Sequence, residues 1–367
     1  MRRVVAAALT VVALGSGFTV FMTASWQLVL CWGVLVGLGT GSMALAFVAT
    51  VTSRWFVARR GLVTGILTAG SATGQLIFLP LLAHLSERFS WRAVSWTVSI
   101  AALAVVPFVL WLLRDHPEDV GTTAYGAQPA ESALSAATVG AAVATAPFPT
   151  PVAVDARRGG AAGRAIGALT SAARTRTFWL LAGTFAICGA STNGLIGTHF
   201  IPAAHDHGMS TTTAAGPLAF IGIFDIVGTV CSGWLTDRMD SRVLLGVYYA
   251  LRGISLMFLP TLFASDVRPP MLFFIVFYGL DWVATVPPTV ALCRQHYGAD
   301  GPIVFGWVLA SHQIGAGIVA FFAGFARDRL GDYDLAWYGA GGLCAIAAVM
   351  SLRIIRRSAA PVAPAVA

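Results

Sequence analysis

Long apolar runs alternate with short polar segments along most of the chain, and each run has about 20 residues, the length that an α-helix needs to cross a bilayer. Because lipid offers the backbone no hydrogen-bond partners, each run is expected to be helical. The pattern predicts ten membrane-spanning helices, at residues 4–22, 27–50, 61–83, 92–113, 178–200, 212–235, 243–264, 270–292, 303–325 and 335–354.

One long polar segment interrupts this pattern at residues 115–176. It is rich in alanine, glycine, threonine and proline, a composition typical of a flexible linker. Four predicted spans precede it and six follow. The chain is therefore expected to divide into an N-terminal helical bundle at 1–114, a flexible cytoplasmic linker at 115–176, a C-terminal helical bundle at 177–357 and a cytoplasmic tail at 358–367.

The composition excludes a soluble domain, because 57% of the residues are hydrophobic and only 11% are charged. The sequence predicts an all-α integral membrane protein. Its net charge of +7 comes from 23 basic residues, all arginine, and they follow the spans rather than forming one patch, which argues against nucleic-acid binding. With a cytoplasmic N-terminus, 17 arginines fall in inside segments and 5 in outside segments. This bias predicts that both termini lie in the cytoplasm. The protein is expected to be a multi-pass protein of a plasma membrane, bacterial in type.

A short charged link between two apolar runs carries the first recognisable motif, Gly233-Trp-Leu-Thr-Asp-Arg-Met-Asp-Ser-Arg-Val-Leu-Leu245. It resembles the loop motif of the major facilitator superfamily, although Asp240 and Ser241 depart from the pattern. In that family the motif follows helix 2 and recurs after helix 8, so the resemblance implies a twelve-helix fold of which ten helices (four and six) are present, with helices 1 and 2 missing before Met1. The matching positions are Gly233, Leu235, Asp237, Arg238 and Arg242, and all of them except Leu235 are predicted to be gating-loop residues.

A second motif runs from Arg54 to Gly74 and resembles a signature of the monocarboxylate transporter and oxalate/formate antiporter branch of that superfamily. Small residues at this spacing also let membrane helices pack closely, so pure packing and a role in a moving interface both remain open. Arg60 and Gly61 are predicted to belong to the gating loop. The matching positions are Arg60, Gly61, Gly65, Ala69, Gly70 and Gly74.

Four ionisable side chains lie inside predicted spans, where charge is costly and commonly functional: Asp225, Arg252, Asp281 and His312. Together with Asn193 they are the candidate substrate- and proton-binding residues. Asp225 falls at the position of an aspartate that monocarboxylate transporters carry in their eighth helix, but the arginine expected four residues later is Thr229, and Arg252 is a possible replacement.

Structural readings of the same residues stay open. Asp225 and Arg252 would then form an ion pair between two helices, Asp281 would make a packing hydrogen bond with Trp282 or Thr285, and His312 would be a satisfied interior histidine.

The sequence predicts a secondary transporter that carries a small organic anion, such as a monocarboxylate, by proton-coupled alternating access. Efflux of a drug-like or metabolic compound, or a non-transporting fragment or sensor, are the alternatives. An enzyme is not expected, because no nucleophile has a partnered base. The five cysteines have no metal-ligand spacing, so no metal or cofactor is predicted. The expected partners are the lipid bilayer, a small-molecule substrate and a proton, and the protein is expected to be a monomer.

Overall fold

The computed structural model describes residues 1–43, 45–57, 59–126 and 161–356. Within them the secondary structure is helical, apart from one isolated bridge between Phe56 and Tyr125. The helices before the linker are α1 Arg2–Thr19, α2 Ser25–Met43, α3 Leu45–Trp55, α4 Arg60–Arg88 and α5 Trp91–Leu112. Those after it are α6 Ala161–Ala173, α7 Arg176–Asp206, α8 Thr211–Thr236, α9 Ser241–Phe258, α10 Pro269–Asp281, α11 Val286–Tyr297, α12 Gly301–Leu330 and α13 Asp334–Leu352.

Eight stretches of the described chain are long and apolar enough to cross a membrane. One of them, Pro269–Leu330, has 62 residues and contains α10, α11 and α12, which is enough for two crossings. Large apolar side chains are exposed on the outer faces of the helices, for example Trp111 and Phe273. Such faces suit contact with lipid, so the structure agrees with the prediction of an all-α membrane protein.

Three helices have irregular backbone in their middle. α2 contains a π-helical segment at Val29–Val36, and α7 contains one at Ala190–Ile196. α10 ends at Asp281 and α11 begins at Val286, so the predicted eighth span is interrupted by turns. These are the second, fifth and eighth predicted spans. Irregular segments of this kind are frequent at functional sites.

Glycines bring pairs of helices into backbone contact around these irregular segments. A Cβ added at Gly189 of α7 would meet the carbonyl of His312 in α12, and one added at Gly228 of α8 would meet the carbonyl of Leu280 in α10. Small residues permit such close approach between membrane helices. The helices after the linker are thereby packed into a bundle with two buried apolar clusters, and Ile187 and Val283 pack against both.

The described part of the predicted linker contains one α-helix that composition did not anticipate. α6 packs against α12, with Ala172 fully buried and the Trp307 indole donating to the Ala165 carbonyl at 3.0 Å. Its high alanine and glycine content resembled that of a flexible segment, although alanine also favours helix. The rest of the predicted linker from 127 to 160, and the predicted tail at 358–367, lie outside the described residues.

Candidate functional site

A cavity of about 800 Å³ lies between the helices before the linker and those after it. One wall is formed by α2, α3, α4 and the end of α5, and the opposite wall by α7, α12 and the interruption between α10 and α11. The cavity therefore lies where a central substrate site would be expected in a two-bundle transporter. Its lining residues are Met43, Phe47, Val48, Val51, Leu67, Thr68, Leu113, Thr192, Asn193, Trp282, Val283, Leu309, His312 and Gln313.

Two of the predicted site residues line this cavity directly. Asn193 lies in the π-helical segment of α7 and is exposed to the cavity. His312 lies on α12, packs against the Phe185 ring with 5.0 Å between ring centroids, and places Nδ1 3.4 Å from Oε1 of Gln313. His312 is thus a half-buried histidine facing the cavity, rather than one satisfied by the neighbouring Ser311, whose hydroxyl donates to the Ala182 and Val308 carbonyls.

The other three predicted residues converge on the interruption between α10 and α11. Where a helix is broken, carbonyl and amide groups lose their intrahelical partners and need others. Arg252 donates from Nη2 to the carbonyl of Asp281 at 2.6 Å and to that of Trp282 at 3.3 Å. Asp225 accepts from the amide of Val283 at 3.0 Å through Oδ1. Arg252 of α9 and Asp225 of α8 therefore bind the backbone of the segment that forms this wall of the cavity.

Arg252 pairs with Asp281, not with Asp225 as the sequence had left open. Its Nε donates to Oδ2 of Asp281 at 2.6 Å, and the arginine is fully buried. Its Nη1 donates to Cys188 Sγ at 3.0 Å, with Ser191 Oγ at 3.5 Å. A buried ion pair is tolerated in an apolar interior only when such hydrogen bonds accompany it.

Two buried polar atoms beside Arg252 have no hydrogen-bond partner among the described residues: Oδ1 of Asp281 and the hydroxyl of Tyr249. Asp281 uses Oδ2 for Arg252, so Oδ1 is left free to accept a proton or a hydrogen bond. The expected packing bonds of Asp281 with Trp282 or Thr285 are absent among the described residues; the Thr285 hydroxyl contacts Cys188 Sγ at 3.3 Å instead. An unsatisfied buried carboxylate oxygen calls for an explanation, and a proton site is one.

Asp225 is almost completely buried and has a satisfied Oδ1. The Thr229 hydroxyl, one helical turn further along α8, donates to it at 2.8 Å. Thr229 is the residue at the position where the resemblance to monocarboxylate transporters implied an arginine. A hydroxyl hydrogen bond therefore replaces a charge at this position, and the nearest cation of the cluster, Arg252, is bound to Asp281.

The loop residues make contacts within their own bundle. Arg242 forms an ion pair with Asp240 at 2.6 Å and donates to the Ile354 carbonyl at 2.9 Å. The hydrogen bond from Arg242 holds the pKa of Asp240 below its ordinary value.

The other loop positions lie close by. Arg238 covers the Trp234 ring at 4.1 Å, and Gly233 and Asp237 lie at the end of α8. The side chains of Arg60 and Gly61 lie outside the described part of the structure. The gating role of all these residues stays a prediction.

Sequence reasoning missed Cys188, Tyr249 and Tyr278, which complete the buried cluster. Tyr278 donates its hydroxyl to the Ser191 carbonyl at 2.8 Å, beside the π-helical segment of α7. Tyr249 places its ring 5.7 Å from the Arg252 guanidinium. A signal existed for Tyr249, because a residue three positions before a buried arginine lies on the same helix face. The sequence offered no such signal for Cys188, because the five cysteines have no metal-ligand spacing.

Comparison with known proteins identifies the fold and the family. The chain has a TM-score of 0.64 to the structure of a D-xylose–proton symporter (13% identity, 97% of this chain and 80% of the other). It has a TM-score of 0.59 to the E. coli fucose:proton symporter (17% identity, 97% and 84%). Identities this low show a shared fold alone.

The relatives found by sequence have higher identities to this chain. The chain is 26% identical over 310 residues to an MFS-type transporter of Bacillus subtilis, YcxA, covering 83% of this chain and 66% of that protein. It is 27% identical over 336 residues to monocarboxylate transporter 13 of Bos taurus, covering 90% and 68%. The chain thus spans about two thirds of the length of these relatives. These comparisons confirm three predictions from the sequence. They are the resemblance to monocarboxylate transporters, the fold class, and a protein of a transporter family rather than an enzyme. Because the model of the Major Facilitator Superfamily matches residues 1–302, the chain belongs to that family.

Proposed function

We propose that the protein is a secondary transporter that moves a small organic anion together with a proton by alternating access. The observation that carries the proposal is a pair of buried carboxylates beside the cavity wall at Trp282 and Val283. Asp281 ends α10 directly before this wall, and Asp225 of α8 accepts from the Val283 amide. Relatives named monocarboxylate transporters and structural neighbours named proton symporters support the substrate class and the coupling ion.

The coupling follows from charge balance at Arg252. With Asp281 ionised, the buried pair is neutral and the guanidinium is fully engaged. A proton taken up on Oδ1 of Asp281 leaves one net positive charge behind the cavity wall, which favours entry of an anion into the cavity. Release of the anion makes that charge costly again and drives the proton off, since an unpaired buried charge is expensive. Proton and anion thereby move together.

Asp225 is the second proton site of the proposal. Its Oδ1 accepts from Val283 and Thr229, so its protonation state affects how firmly the interrupted segment is bound. His312 and Asn193, which face the cavity, are the proposed contacts to the substrate itself. Imidazole and carboxamide side chains can both donate hydrogen bonds to a carboxylate.

The proposed arrangement in the membrane has both termini in the cytoplasm of a bacterial plasma membrane. Bundles 1–114 and 177–357, joined by the linker 115–176, move against each other in a monomer. On the side of the first bundle the cavity is lined by residues near the cytoplasmic ends of their predicted spans, such as Val51, Leu67 and Leu113. The conformation is therefore proposed to open inward.

Efflux of a compound with an apolar body is the second candidate, because most side chains that line the cavity are aliphatic or aromatic. Counterflow in vesicles separates the two. A carboxylate that exchanges with itself supports the anion carrier, whereas exchange only of neutral or cationic compounds supports the efflux permease.

The test of the proposal is proton-coupled uptake by reconstituted Asp225→Asn protein. Asparagine keeps the acceptor oxygen for Val283 and Thr229 but cannot bind or release a proton. Folding is therefore retained, and the pH dependence of uptake that Asp225 adds to that of Asp281 is lost. Asp266→Asn, an exposed carboxylate in a loop, is the matched control and should behave as the parent protein. Unchanged pH-dependent uptake by Asp225→Asn would remove Asp225 from the mechanism.

A further inference from the structure

A second cavity, of about 420 Å³, lies on the outside of the C-terminal bundle between the start of α7 and the end of α13. Arg176 is the first residue of α7, and Arg353 directly follows α13. Both line the cavity, and both are exposed. The remaining lining is aliphatic or thioether, from Leu180 of α7 and from Ala345, Ile346, Val349 and Met350 of α13.

The two arginines lie at one end of the groove, and the apolar side chains continue from them along the helices. Leu180 lies one turn beyond Arg176 on α7, while Val349 and Ile346 lie one and two turns before Arg353 on α13. The groove therefore has a positively charged mouth at the level of the helix ends, where lipid headgroups lie. Its apolar part extends toward the hydrocarbon core.

Neither arginine is neutralised within the part of the protein that the structure describes. In the described parts of the chain, no ion pair or side-chain hydrogen bond involves Arg176 or Arg353. Acidic residues are also missing from the flanking sequence, since no aspartate or glutamate occurs between residues 156 and 205 or after Asp334. The nearby Asp240 is already bound to Arg242 and lies 3.8 Å from Arg356. The mouth of the groove thus has an uncompensated positive charge.

Only an amphipathic anion matches both parts of this groove. Arginine forms bidentate hydrogen bonds with phosphate, and basic pockets between membrane helices on the cytoplasmic side suit anionic headgroups. The amide groups at the start of α7 add the positive end of a helix dipole at the same place. Trp179, exposed beside the groove with its indole bound to the Ala173 carbonyl, is typical of the membrane interface.

We propose that this groove binds one anionic phospholipid, with its phosphate between Arg176 and Arg353 and an acyl chain along Leu180, Ile346 and Val349. The site rests on the proposed orientation, because it places the arginines in the cytoplasmic leaflet, where anionic lipids concentrate. It lies apart from the central cavity and shares none of its lining residues.

The test uses native mass spectrometry of the full chain in detergent, titrated with phosphatidylglycerol or with phosphatidylcholine of the same acyl chains. One retained phosphatidylglycerol is expected, with phosphatidylcholine at least tenfold weaker. Arg176→Gln/Arg353→Gln should weaken phosphatidylglycerol binding about tenfold or more, because both phosphate contacts are lost. The control, Arg88→Gln/Arg268→Gln, removes two exposed arginines from the opposite membrane face and should leave binding unchanged. Equal weakening by both pairs, or by neither, overturns the proposal.

A second variant separates a lipid from a free phosphate. Val349→Trp keeps both arginines but fills the apolar part of the groove, so this variant should retain less phosphatidylglycerol. In the parent protein, excess inorganic phosphate should fail to displace the lipid. Displacement by inorganic phosphate, together with an unaffected Val349→Trp, would replace the lipid with a simple anion. The Asp225→Asn protein should bind phosphatidylglycerol normally, so failure of the transport mechanism and failure of the lipid site are distinguishable.

Discussion

At the scale of single residues, burial decides what an ion pair contributes. Arg252–Asp281 and Arg327–Asp206 have the same closest separation, 2.6 Å. The first pair is almost fully buried, whereas the side chains of Arg327 and Asp206 are 40% and 26% exposed. Exposed pairs contribute little because water and ions screen them. A buried pair is costly to break, since the remaining partner keeps an uncompensated charge.

We therefore expect Asp281→Asn to destabilise the protein by about 3–5 kcal/mol and Asp206→Asn by about 1 kcal/mol or less. The measurement is reversible unfolding in mixed micelles, followed by tryptophan fluorescence. Arg252→Met/Asp281→Leu should be more stable than Asp281→Asn alone, because it leaves no buried charge unpaired. If Asp281→Asn and Asp206→Asn lower the free energy of unfolding equally, burial does not decide what these two ion pairs contribute.

At the scale of helices, a side-chain cap stabilises the start of α9, and a close backbone contact holds α7 against α12. α9 begins at Ser241, and Asp240 before it accepts from the Arg242 amide at 3.0 Å and from the Arg242 guanidinium. One carboxylate therefore caps the helix and also forms the ion pair that helps to bind the end of α13. Its two roles respond differently to substitution.

Asp240→Ala should cost about 0.5–2 kcal/mol, the usual effect of losing an N-cap, and Asp240→Asn should cost less because an amide still accepts at the cap. The pKa of Asp240 is lower in the folded protein than in the unfolded chain, where it is about 3.9. The ionised carboxylate therefore stabilises the fold above the unfolded pKa, and this stabilisation is lost as the pH falls through the folded pKa. Unfolding measured between pH 7 and pH 3 should therefore show the difference between parent and Asp240→Asn shrinking toward low pH. A constant difference would exclude the ion pair as its source.

Gly189 tests the close approach of α7 and α12. An added Cβ would meet the His312 carbonyl, whereas at Gly317 on α12 no atom lies within 4 Å. Gly189→Ala should destabilise by about 1–3 kcal/mol through overpacking, and Gly317→Ala should be neutral or slightly stabilising. Thermal unfolding of both variants in the same detergent gives the comparison. Similar melting temperatures for the two would mean that α7 and α12 are not in backbone contact at this level.

The sequence was a good guide to where helices lie and a poor guide to how they meet. Apolar runs located the spans because the bilayer fixes their length. The interruption after Asp281 was not predicted, since Trp282, Val283 and Val286 are as apolar as the rest of the run. The pairing of Arg252 with Asp281 depends on the rotation of two helices about their axes, which hydropathy does not contain.

For the whole molecule, the irregular segments of α2 and α7 and the break after α10 recur at every third predicted span. Two of them, in α7 and after α10, contribute lining residues to the central cavity, namely Thr192, Asn193, Trp282 and Val283. A regular helix has no spare hydrogen-bonding capacity for a solute, whereas an interrupted one has backbone groups that can exchange partners. The irregular segment of α2 has the equivalent place in its own group of three spans, but it contributes no lining residue to this cavity.

The proposed inward-open state makes a prediction about access to this cavity. Gln313 is exposed and lines the cavity. A transporter at rest opens to one side at a time. Labelling of Gln313→Cys by a membrane-impermeant maleimide should therefore be about fivefold or more stronger in inside-out vesicles than in right-side-out vesicles. The background needs Cys231→Ser, because Cys231 is exposed whereas the other four cysteines are buried. Arg164→Cys on α6 and Asp266→Cys in the opposite loop report on the two faces as controls. If Gln313→Cys labels with the same preference as Asp266→Cys, the cavity opens outward, and the proposed direction of the resting state is reversed.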